Sequence, residues 1–156
     1  MSEEAGRPQT KIRIPLRGAA LDSGYESESV WAESLGGGLY KVWNVPAFSY
    51  NVEMTDIVEC SEASDDLPLL ARVVGRGTCY GVRLYFAETA SDDAMAEVLV
   101  TVSARRPVIM KCRKRLWTLG FRSFEDYQWL GSAVESYLVS GLISLGSVGP
   151  PDVPGW

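Results

Sequence analysis

The stretch CYGVRLYFAETASDDAMAEVLVTVSARRP, residues 79–107, decides the fold. From Cys79 to Ala87 the side chains alternate, with Val82, Leu84 and Phe86 set against Arg83, Tyr85 and Ala87. A period of two predicts a half-buried β-strand. The period then changes. Ser91 offers a capping hydroxyl, and Asp92 and Asp93 complement the positive end of a helix dipole. Met95, Val98, Leu99 and Val102 recur at i, i+3, i+4 and i+7, one face of a helix. Arg105 and Arg106 suit its negative end, and Pro107 stops it.

Downstream, Val108 to Cys112 and Leu116 to Arg122 predict a hairpin across the basic turn Arg113-Lys114-Arg115. Ser123 caps a second helix over 123–140, carried by Phe124, Tyr127, Leu130, Val134, Tyr137 and Leu138, and Gly141 ends it. Leu142 to Leu145 add at most a short strand. The order β-α-β-β-α predicts an incomplete ferredoxin-like layer, a sheet with two helices on one face.

Upstream the reading is all β. Lys11 to Arg17 alternates, and Pro15, lacking an amide donor, favours an edge. After a polar loop over 18–27, Val30 to Leu35 and Leu39 to Val45 flank Gly36-Gly37-Gly38, a tight hairpin turn. Asp56 to Cys60 and Leu69 to Val74 complete a series of short strands, which predicts a small barrel or a strongly curved antiparallel sheet. The fold class is therefore α+β. Residues 1–9 read as a flexible tail, 10–78 as a β-rich half, 79–146 as the β-α-β-β-α half and 147–156 as a second tail.

Composition bounds the function. The 156 residues are 46% apolar and 22% charged, those of an ordinary globular domain. No apolar run reaches the ~18 residues a membrane span requires, and the polar N-terminus has no signal-peptide core. The cytoplasm is the default location. The three cysteines, Cys60, Cys79 and Cys112, have no metal-site spacing and read as reduced thiols. Histidine is absent, which removes Ser-His-Asp and Cys-His catalysis and histidine-ligated zinc. No catalytic residue, cofactor or metal is expected.

Certain segments stand in a specific order: a strand over Lys11 to Leu16, then Glu28-Ser29-Val30-Trp31-Ala32-Glu33, Gly38-Leu39-Tyr40-Lys41-Val42, Asn44-Val45-Pro46-Ala47, Asp56-Ile57-Val58, a glycine turn near Gly75 to Thr78, and Val82-Arg83-Leu84-Tyr85-Phe86. In that order they resemble an uncharacterised bacterial family, domain of unknown function 4265. The resemblance runs over roughly residues 10–122. It implies a shared fold and carries no active site with it. No obvious extended C-terminal strand follows.

The charge is unevenly placed within a net −5. Residues 22–66 hold ten acids and one base, whereas 105–122 hold seven bases and no acid. Such asymmetry steers partners by its field, or is spent internally. The partner-binding candidates are Glu59, Glu62, Asp65 and Asp66 on the acidic side and Lys111, Arg113, Lys114 and Arg115 on the basic side. The expected function is a non-enzymatic module that docks a macromolecule, in the manner of an inhibitor or immunity-type protein. One alternative is a small-molecule sensor or enzyme with a pocket between sheet and helices, lined by Trp31, Trp43 or Tyr80. Another is nucleic-acid binding through the basic hairpin, although a pI near 4.8 argues against it. Gly75-Arg76-Gly77 reads as a turn between strands in preference to a phosphate cradle, because no helix follows. A thiolate at Cys79, lowered by Arg76, is the weakest of these readings. The carboxylates of Glu28 and Glu33 are expected on the surface.

Overall fold

The chain divides where the side-chain period changes, and a computed structural model describes residues 10–62 and 66–148. The first half closes on itself. Strands β1 (Thr10–Pro15), β2 (Ser27–Gly36), β3 (Leu39–Val42), β4 (Ile57–Ser61) and β5 (Leu69–Gly75) form a five-stranded barrel in sequence order. Neighbours are antiparallel except at the closure, where β1 and β5 run parallel and meet at Arg13 and Leu69. Pro15, expected at an edge, ends β1, so its missing amide donor falls where the strand stops.

Alternation fills the barrel. Ile12, Ile14, Val30, Ala32, Tyr40, Val42 and Val58 point inward and are buried. The Gly36-Gly37-Gly38 turn has positive φ at all three residues, a conformation glycine adopts without a Cβ clash.

The second half begins with β6 (Tyr80–Phe86) and continues through α1 (Asp92–Val102), β7 (Val108–Arg113), β8 (Leu116–Phe121), α2 (Phe124–Ala133), α3 (Glu135–Val139) and β9 (Ile143–Val148). The sheet order is β7-β8-β6-β9 and every pairing is antiparallel. That is the full ferredoxin-like arrangement. The final strand is a complete partner of β6, with six matched residues. It runs two residues past the expected boundary at 146. Residues 147 and 148, expected to open the second tail, belong to this strand, and the tail expected at 1–9 and the rest of that expected at 147–156 lie outside the described residues.

Both expected caps form. The Ser91 hydroxyl accepts from the Ala94 amide at 3.1 Å, and the Ser123 hydroxyl from the Asp126 amide at 3.1 Å. The expected single helix over 123–140 is broken at Val134, whose φ of −109° leaves the helical region. Gly131 and Ser132 weaken the helix just before the break, while Val134 is drawn wholly into the core.

One face of the second sheet packs on the helices through Val82, Leu84, Phe86, Leu119 and Phe121, against Met95, Val98, Val102 and Leu130. The other face carries Arg83, Thr118 and Gly120, and the barrel half covers it. Val45 and Met54 from the barrel side press on Gly120, where a Cβ would stand 2.5 Å from the Met54 sulfur. Val45, Met54 and Cys79, with Val108 alongside, form a small apolar core in this seam. The molecule thus has three layers: helices, sheet and barrel. No helix of the described residues is long and apolar enough to cross a membrane.

Candidate functional site

The segment from Asn44 to Tyr50 runs through the seam and is tied down from two sides. The Glu28 carboxylate accepts the amides of Ala47, Phe48 and Ser49 at 2.7, 2.8 and 2.7 Å. Buried Asn44 accepts the Trp31 amide at 2.8 Å. Three charge-assisted bonds to one carboxylate hold a non-repetitive segment firmly. Glu28, expected on the surface, is instead a half-buried anchor, while Glu33 remains exposed.

Clefts open on both sides of this segment and share Ala47 and Phe48. The first, of about 290 Å³, lies between Lys11 and Trp31 of the barrel and Met110, Lys111 and Cys112 of β7. The second, of about 320 Å³, lies between Asp22, Phe48 and Tyr50 and the β6 residues Arg83 and Tyr85. A third, of about 340 Å³, sits farther along the seam among Glu33, Trp43, Met54 and Arg122.

The pocket was expected between sheet and helices. That space is filled by the apolar core, and the clefts belong to the opposite face of the sheet. Trp31 and Trp43 are cross-strand neighbours, joined by the Trp43 amide to the Trp31 carbonyl at 2.9 Å, yet they line different clefts. Tyr80 lines none of these three. It packs with Phe124 and Tyr127, ring centroids 5.5 and 5.6 Å away. The three candidate aromatics therefore do not converge.

The charged candidates divide as well. Arg13 forks onto Asp66, and hydrogen bonds from the Leu67 amide and from Arg13 hold the Asp66 carboxyl below its ordinary range. Arg72 pairs with Glu59 at 3.3 Å across β4 and β5. Glu62 is exposed, and Asp65 lies outside the described residues. On the basic side, Arg113 stacks on Tyr25 and Phe48, 4.8 and 5.1 Å from their ring centres. Arg115 donates to the carbonyls of Ala87 and Ala90 at 3.0 and 3.1 Å, bracing the turn before α1. Lys111 and Lys114 remain exposed. The Lys111 ammonium lies 5.8 Å from the Trp117 ring centre, and that of Lys11 lies 4.7 Å from Trp31.

Gly75-Arg76-Gly77 is occupied from within. The fully buried Asp56 carboxylate accepts from Arg76 at 3.0 Å, the Gly77 amide at 2.8 Å and the Glu53 amide at 2.9 Å. An internal carboxylate takes the donors that a bound phosphate would use. The surroundings of Cys79 oppose a thiolate. Burial, and then the charges of Glu53 and Asp56, push its thiol up to about 12. Burial likewise lifts Cys60 to about 11. Among the described residues no group of three or more Cys, Asp or Glu gathers to hold a metal ion.

A closed barrel docked on the outer face of a ferredoxin-like sheet, with a pinned segment between two clefts, defines an α+β protein built around a seam. The chain belongs to the family described as a domain of unknown function, DUF4265, whose model matches residues 28–116. That span holds Glu28, Asn44, Asp56 and Arg83, and it crosses both halves. No curated protein matches the chain. Among solved structures, a hypothetical protein from Neisseria gonorrhoeae shares the fold, with a TM-score of 0.66 at 15% identity, over 89% of this chain and 93% of that one.

Proposed function

We propose that this protein is a non-enzymatic binding module that docks an acidic segment of another protein on the basic edge of its sheet. Lys111 and Lys114 are the contacts, with Lys11 beside them across the first cleft. One observation carries the reading. Asp66 and Glu59 are already matched by Arg13 and Arg72, whereas Lys11, Lys111 and Lys114 have no ion-pair partner among the described residues. Strand β7 is moreover an outer strand of its sheet, where an extended partner finds unpaired backbone. Three unpaired thiols suit a reducing compartment such as the cytoplasm.

Nucleic acid is the weaker partner. Arg113 covers Tyr25 and Phe48, and Lys111 covers Trp117, so the rings near the hairpin that bases would stack on are already in use. The test is affinity capture from the source cell at low salt, with wild type and Lys111→Glu/Lys114→Glu as baits. Wild type should retain a protein that the double variant does not, and added salt should release it. Identical capture by both baits contradicts the proposal, as does recovery of nucleic acid in place of protein.

A further inference from the structure

Alternation along β6 assigns Arg83 to the face away from the helices, where a lone arginine normally meets water. Here the barrel half covers that face and Arg83 is only 3% exposed. A buried guanidinium ordinarily has a carboxylate beside it, because desolvating the charge is costly. Among the described residues Arg83 has none within ion-pair distance. One of its five donors is matched: Nη2 donates to the Ser49 carbonyl at 2.7 Å. Its Nε is buried without an acceptor. The guanidinium lies 4.6 Å from the ring centre of Tyr50, and Arg83 forms part of the wall of the second cleft.

We infer that the second cleft is a binding site for a small organic carboxylate, with Arg83 as its counter-ion. A carboxylate presents two oxygens at the spacing of the guanidinium fork and supplies the missing acceptor. Phe48, Tyr50 and Tyr85 give the same cleft an aromatic wall for an apolar or ring-shaped body. Its volume of about 320 Å³ suits a molecule of that size. Asp22, which is exposed and lines the same cleft, limits the charge of the ligand. One cation and one anion tolerate a monoanion and disfavour a multiply charged phosphate. The Ser49 carbonyl holds the arginine in place, and Glu28 holds Ser49, so the site exists before the ligand arrives. This site is separate from Lys111 and Lys114, and it stands or falls without them.

The test is a nuclear magnetic resonance titration of the full chain with sodium benzoate, following the Arg83 Nε–H and the amides of Ala47 to Tyr50. Saturable shifts confined to these groups are expected, and inorganic phosphate should bind at least about tenfold more weakly. Asp22→Asn leaves the fold intact, because the residue is exposed, and should tighten benzoate binding about threefold by removing a like charge. Arg83→Gln should abolish the shifts in a protein whose circular dichroism is unchanged. Phosphate binding as tight as benzoate would overturn the carboxylate assignment. So would non-saturating shifts, which leave Arg83 to buried water alone, or an Asp22→Asn variant with unaltered affinity.

Discussion

Two carboxylates, Glu28 and Asp56, organise the loops that build the seam, and each binds donors about twenty positions away in the chain. Neither role was legible in the sequence, where Glu28 reads as a surface acid and Asp56 as the first residue of a strand, because local patterning says nothing about partners at that separation. The serine caps at Ser91 and Ser123 were legible because the amides that donate to them lie three residues on. Glu28→Gln replaces an acceptor oxygen with a second donor facing the amides of 47–49, and should cost about 2–3 kcal/mol in urea unfolding. Gly77 is a sterner case. A Cβ there would stand 2.0 Å from the Thr55 hydroxyl and 2.5 Å from its carbonyl carbon, so backbone must move. Gly77→Ala should cost about 3 kcal/mol, against about 1 kcal/mol for Gly120→Ala, where the flexible end of Met54 yields. Equal losses for the two glycines would refute this account of the packing.

Among the elements, strands and helices with a clean period were readable, and those without one were not. β6 and α1 announce themselves through Val82, Leu84 and Phe86, then Met95, Val98 and Val102. β9 hides because Ser144, Gly146 and Ser147 interrupt its pattern, and its pairing with β6 is a tertiary fact. The break at Val134 was hidden too, since Tyr137 and Leu138 keep a helical spacing across it. α1 depends on its cap: Ser91→Ala should lower stability by about 1 kcal/mol, measured by thermal melting. The core between sheet and helices should be less forgiving, with Leu119→Ala costing about 2–5 kcal/mol.

Across the whole molecule, the least legible feature was which face of the second sheet the barrel covers. Alternation sets Arg83 on the polar face of a half-buried strand, and the docked barrel turns that face, with Thr118 beside it, into an interior. This burial also sets a pH limit. Cys60 and Cys79 keep neutral thiols in the folded state up to about 11 and about 12, while an unfolded thiol ionises near 9.0. Folded-state pKa values are raised, so stability is whole below pH 9 and is lost as pH climbs from 9 towards 12. Urea midpoints should fall over that window, and Cys79→Ala should flatten the fall. Within the basic stretch, Arg113 is engaged on the rings of Tyr25 and Phe48, whereas Lys111 and Lys114 are exposed. The most direct test of docking is hydrogen exchange on the protein with and without its captured partner. Protection should appear in β7 and across the first cleft around Lys11, Ser29 and Trp31. Protection confined to β4 and β5, or to the helices, would place recognition elsewhere and contradict the proposed role of the basic edge.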